Sequence, residues 1–171
     1  MFWSKKKTFI KLNDSLKSGL NFGLTSGVIT TLGLMIGLLE STGSKLAVLG
    51  GVLTIAIADA MSDAFGIHIS EESTDGKHPR AVWQATIATF LSKFVFAITF
   101  IIPIVLFSLQ TAVLISCLWG IFLLTILSLI IAKSNKMSPA KMVFEHLLTA
   151  TMVIVISYYA GVLINMFFST N

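Results

Sequence analysis

Asp59 and Asp63 stand four residues apart inside an otherwise apolar stretch, Leu53-Thr54-Ile55-Ala56-Ile57-Ala58-Asp59-Ala60-Met61-Ser62-Asp63-Ala64-Phe65-Gly66. In a helix, positions i and i+4 lie one above the other, and Gly66, Ser70 and Ser73 prolong the same stripe. Carboxylates stacked in this way repel unless a cation, a proton or a basic side chain sits between them. Lys93 is the basic candidate, because no other lysine lies within an apolar stretch. A charge in the middle of a membrane costs about 2.5–3.5 kcal/mol on insertion scales, so three such residues call for a function.

Depth separates their roles. With a rise of about 1.5 Å per residue, Asp59 and Lys93 fall about 16 Å from the basic end of adjacent antiparallel helices, and Asp63 about 10 Å. The match predicts that Lys93 neutralises Asp59 as a structural or proton-coupling pair, leaving Asp63 free to bind a metal cation or a proton. Two carboxylates against one lysine leave a negative charge over, and an unmatched intramembrane carboxylate is by default an ion or proton site. The other reading is a trio that only fixes helix packing. In the first apolar stretch Gly19, Gly23 and Gly27 recur every four residues, a helix-packing pattern that lets another helix approach closely. Asn21, Thr25, Ser26 and Thr30 add oxygens beside them. Thr25 and Ser26 reach the depth of Asp63, so the candidate metal set is Asp63, Asn21, Thr25 and Ser26. The hydroxyls could instead bond to their own helix.

These residues require a membrane scaffold. The chain has 171 residues, 55% apolar and 12% charged, with mean hydropathy +0.89, where a soluble domain carries about 25% charge. Apolar runs over about 19–39, 46–70, 82–107, 111–132 and 143–168 are each long enough for a span of about 20 residues. An open strand edge would leave backbone groups unpaired in lipid, so the expected class is an all-α integral membrane protein with five transmembrane helices. A basic segment, 1–18, precedes a single transmembrane domain, 19–168, and a short tail, 169–171. Lys5, Lys6, Lys7, Lys11, Lys17, Lys77, Arg80, Lys133, Lys136 and Lys141 all fall on one side. The positive-inside rule then makes the N-terminus cytosolic and the C-terminus external. No cleavable signal is expected, and a prokaryotic cell membrane is the expected location.

Several functions are excluded or demoted. The lysines flank spans instead of interleaving with aromatics, which argues against nucleic acid. Cys117 is alone within an apolar run, and no nucleophile–base pair or histidine cluster lies within the spans, so no enzyme is expected. Glu71, Glu72 and Glu145 form a candidate cytosolic mouth that could concentrate cations, or an ordinary solvated surface. His68 points away from the aspartate stripe, and Trp119 lies deep enough to be packing.

In its first two helices the chain resembles the vacuolar iron transporter family. The family's Asn-Asp-Gly-Leu segment is similar to Asn21-Phe22-Gly23-Leu24, and its Ser-Met-Ala-x-Gly-Glu pattern to Ser62-Asp63-Ala64-Phe65-Gly66-Ile67, with Ser70, Ser73, Pro103 and Gly161 also fitting. The resemblance implies a five-helix homodimer in the lipid bilayer that exchanges Fe²⁺ or Mn²⁺ for protons, with no tightly bound cofactor. Two departures fall on ligands: the family's first-helix aspartate is Phe22 here, and its second-helix methionine is Asp63. Carboxylate in place of thioether predicts a harder site that prefers Fe²⁺ or Mn²⁺ over Cu⁺. The loop Glu71–Ala81 is too short for the cytosolic metal-binding domain of plant-type members. The alternative is a scaffold or accessory subunit of the same fold that transports nothing, or a carrier of another cation.

Overall fold

The computed structural model describes the backbone from Phe2 to Phe168 and side chains from Asp14 onward. The elements are α1 (Phe2–Thr42), α2 (Lys45–Glu72), α3 (Pro79–Thr99), α4 (Ile101–Leu106), α5 (Leu109–Asn135) and α6 (Pro139–Phe168). No strand occurs among the described residues. Five segments are long and apolar enough to cross a membrane: Asp14–Thr42, Lys45–Glu72, Pro79–Leu106, Leu109–Asn135 and Pro139–Phe168. The chain is therefore an all-α multi-pass membrane protein, as its apolar runs require. Lys5, Lys6, Lys7 and Lys11 lie outside the described side chains, whereas α1 runs without a break through the segment that holds them.

Short caps set the connections. Gly43 turns the chain between α1 and α2 with φ +59, a left-handed conformation that glycine adopts without steric cost. Ser44 then accepts from Ala47 N–H to start α2. His78 caps α3 through Nδ1, followed by Pro79 in the first helical turn, where a missing N–H costs nothing.

One expected span is two helices. The run expected to be continuous over 82–107 breaks at Phe100, where α3 gives way to α4. Pro103 explains the position: its ring clashes with the carbonyl four residues earlier, that of Thr99, the last residue of α3. The Thr99 hydroxyl donates to Phe96 O at 2.6 Å and accepts from Trp119 Nε1 at 3.0 Å, so Trp119 ties α5 to the break as well as packing on Phe122.

α1 is the central helix, in contact with α2, α3, α5 and α6. Its glycines make that possible. A Cβ at Gly19 would sit 2.2 Å from Ala85 O, one at Gly23 2.1 Å from Ser92 Oγ, and one at Gly27 3.2 Å from Lys93 Cα. The stripe therefore packs against α3 of the same chain. Farther along α1, Gly33 meets Val153 and Ser157, and the backbone of Gly37 meets Gly161 of α6. Val28, Leu32, Phe100, Ile104 and Leu124 form the buried apolar centre. Outside, Leu53, Ile57, Met61, Phe65 and Ile69 repeat every four residues as an exposed stripe suited to lipid.

Gly23→Ala is expected to destabilise the fold by about 1–3 kcal/mol, since both Ser92 and the backbone of Thr89 stand in the way. Gly50→Ala, with open space around the added methyl, should stabilise α2 by up to about 1 kcal/mol. Thermal unfolding in detergent distinguishes the two, and equal effects would contradict the packing described.

Candidate functional site

The glycine stripe brings α3 so close to α1 that Lys93, 1% exposed, projects past α1 to the aspartate stripe of α2. Its Nζ lies 2.6 Å from Asp59 Oδ2, forms an ion pair with Asp63 Oδ2, and donates to Ser26 Oγ at 2.9 Å. Ser26 Oγ in turn donates to Asp63 Oδ2 at 2.7 Å. Lys93 reaches both carboxylates and lies nearer to Asp63 than to Asp59, so the expectation that it neutralises Asp59 and leaves Asp63 free is corrected: Asp63 is the more closely held of the two, with the serine as well.

The reason is geometric. Side chains lean toward the N-terminus of their own helix, and for α3 that is the basic end of the bundle, the direction in which Asp63 lies from Asp59. Backbone depth alone ignores this lean and the length of a lysine, which spans the about 6 Å between adjacent turns. The contacts also differ in kind. Lys93 hydrogen bonds are directed at Asp63 and Ser26, while buried Asp59 Oδ2 is close to the ammonium without hydrogen-bond geometry. Asp59 is thus held by charge and Asp63 by charge and direction.

Of the other expected ligands, Ser26 alone joins the site. The Thr25 hydroxyl returns to Asn21 O at 2.9 Å and the Thr30 hydroxyl to Ser26 O at 2.9 Å, the own-helix bonding that hydroxyls favour in helices. Asn21 contributes its backbone carbonyl to Thr25, and no side-chain bond links it to Asp63 among the described residues. Among the described residues there is also no group of three or more His, Cys, Asp or Glu placed to hold a metal. A metal at this site would have to draw on Asp59, Asp63, Ser26, backbone carbonyls and water, a hard all-oxygen set.

The expected cytosolic mouth is three separate arrangements. Glu71 is buried, accepting from Ser15 at 2.7 Å and paired with Lys77, so it pins the α2–α3 connection to α1. Glu72 is exposed and 4.0 Å from His68 Nε2. Glu145 pairs with Lys141 one turn away at 3.8 Å, on α6. His68 itself bonds Thr86 Oγ1 through Nδ1 at 2.9 Å and packs edge-on against Trp83, which keeps it away from the aspartates.

Sequence reasoning missed Ser15 and the groove beside the site. A cavity of about 510 Å³ follows α1 between α2 and α6; Gly33 and Gly37 line it on α1, Ile55 and Asp59 on α2, and Ala160 and Gly161 on α6. Its other end reaches Ser41 and Ile164, at the end of the bundle where Lys45 begins α2, opposite the cluster of the other lysines. Asp59 is 32% exposed at its inner end. The spacing of Gly33 and Gly37 was a visible signal, but it could not identify α6 as the neighbour.

Fold and site together define a five-span helical membrane protein with a lysine-bridged pair of aspartates at its centre. Comparison with protein-family models, curated proteins and solved structures gave no match.

Lys93→Met should lower stability by about 3–5 kcal/mol, because it leaves two half-buried carboxylates side by side without their counter-charge. Adding Asp59→Asn and Asp63→Asn should restore most of that loss. A Lys93→Met chain as stable as the parent would contradict the shared ion pair.

Proposed function

We propose that the chain is a proton-coupled cation exchanger with its binding site at Asp59, Asp63 and Ser26, and that its cargo is a divalent ion, Fe²⁺ or Mn²⁺. One observation carries the reading: among the described residues Lys93 is the sole cation against two carboxylates in the bundle centre, which leaves one negative charge unmatched. In so poor a solvent for charge the trio needs one more positive charge, and a proton or a metal ion can supply it.

Charge balance gives the exchange. At rest, an ammonium, two carboxylates and one bound proton sum to zero. A divalent ion on the carboxylates must displace the bound proton, so metal and proton compete for the same oxygens and the binding of one releases the other. The oxygen donors support Fe²⁺ or Mn²⁺ over Cu⁺, and the resemblance of the first two helices supports the same cargo. The homodimer implied by that resemblance would need a surface other than the Gly19–Gly23–Gly27 stripe, which packs against α3. A prokaryotic cell membrane is the location we propose.

The second reading, a scaffold in which the trio only fixes packing, is supported by the near-complete burial of Lys93. Flux separates the two. In proteoliposomes with an imposed pH gradient, wild type should move Mn²⁺ or Fe²⁺ in response to the gradient, and Asp63→Asn should fold normally but transport nothing. Folded wild-type protein with no flux of either metal above empty liposomes would overturn the exchanger.

A further inference from the structure

The groove that Asp59 faces has chemistry unlike an inorganic ion pathway. Its walls are predominantly apolar and its inner end is a carboxylate. Besides Asp59 only the hydroxyls of Thr30, Ser41 and Ser157 line it, too few to replace the water of a hydrated metal ion. An organic cation would be solvated at both ends, its apolar body by Gly37, Ile55 and Ala160 and its charge by Asp59.

We propose that this groove is a binding site for a lipophilic organic monocation, entering from the membrane or from the end of the bundle opposite the lysine cluster, with its charge against Asp59. Three observations support this occupant. The groove is an open one whose volume, about 510 Å³, matches in size the range of about 300–1,000 Å³ usual for drug-sized ligands. The trio has a net charge of −1, which one monocation neutralises with Lys93 still charged. A second copy of the chain would bring no matching charge, because Lys93 is the sole lysine or arginine deep within the spans and is buried in its own bundle. A neutral lipid tail would likewise leave Asp59 unbalanced. The inference rests on reading the trio as a cation site and adds a second class of cargo.

The test is equilibrium binding of tetraphenylphosphonium to the purified full chain in detergent, with tetraphenylborate as a probe of the same shape and opposite charge. Saturable binding of the cation and none of the anion is expected. Affinity should fall about tenfold or more in Asp59→Asn, which removes the charge, and in Ala160→Phe, which fills the groove away from the trio. Ala160 is exposed, so the larger side chain has room to fold. Equal uptake of both probes, or affinity unchanged in both variants, would mean partitioning into detergent and would overturn the proposal. So would a wild-type chain without a cation site whose dimer, measured by light scattering, dissociates on Ala160→Phe, since the groove would then hold a second copy. Mn²⁺ flux in the same preparations separates the two readings: flux without tetraphenylphosphonium binding refutes the groove site alone, and loss of both refutes the cation site itself.

Discussion

A negative charge without a partner cannot be left in the middle of a membrane, and the central architecture of this bundle follows from that constraint. Coulomb interactions at 4 Å are worth about 1 kcal/mol in water and several times that near a protein interior, so position there is decided by charge. Gly27 of α1 lies directly over the backbone of Lys93, and Gly23 over Thr89 and Ser92. Any side chain at these positions would push α3 away and withdraw the ammonium from Asp59 and Asp63. The glycines of α1 and the charges of α2 and α3 are thus one device, with Ser26 providing the hydroxyl next to the closest approach.

The sharing of one lysine by two carboxylates differs from a simple pair: a single Asp–Lys pair is neutral, whereas the trio has one carboxylate more than it has ammonium groups. In the exchanger we propose, that surplus is what a bound cation or proton matches. Its asymmetry also matters. Asp63 has directed bonds from Lys93 and Ser26, while Asp59 has a contact without such direction and faces the groove. Asp59 is therefore the less firmly held carboxylate of the two, and Asp63 the one that Lys93 and Ser26 fix in place.

Much of the architecture was legible in the sequence because lipid allows few alternatives. The number of spans, their helical class and the identity of the three buried charges all follow from hydropathy and the cost of charge in hydrocarbon. The break at Phe100 was only half legible: Pro103 was visible, but its effect falls four residues earlier, on the carbonyl of Thr99. What a single chain could not reveal was neighbourhood. Gly19, Gly23 and Gly27 announced a close approach without saying that α3 makes it. Thr25 was at the right depth for Asp63, yet its hydroxyl is spent on Asn21 O. Glu71 looked like part of a charged mouth and is buried with Ser15, a serine that no local pattern distinguishes.

Direct counting of protons tests the central claim, that metal and proton compete for the carboxylates of the trio. Mn²⁺ added to purified protein in weakly buffered detergent solution should release about one proton for each ion bound, because the proton held by the carboxylates must leave. Binding with no proton release, or no Mn²⁺ binding by the folded chain, would contradict a shared Lys93 as the hinge of an exchange site.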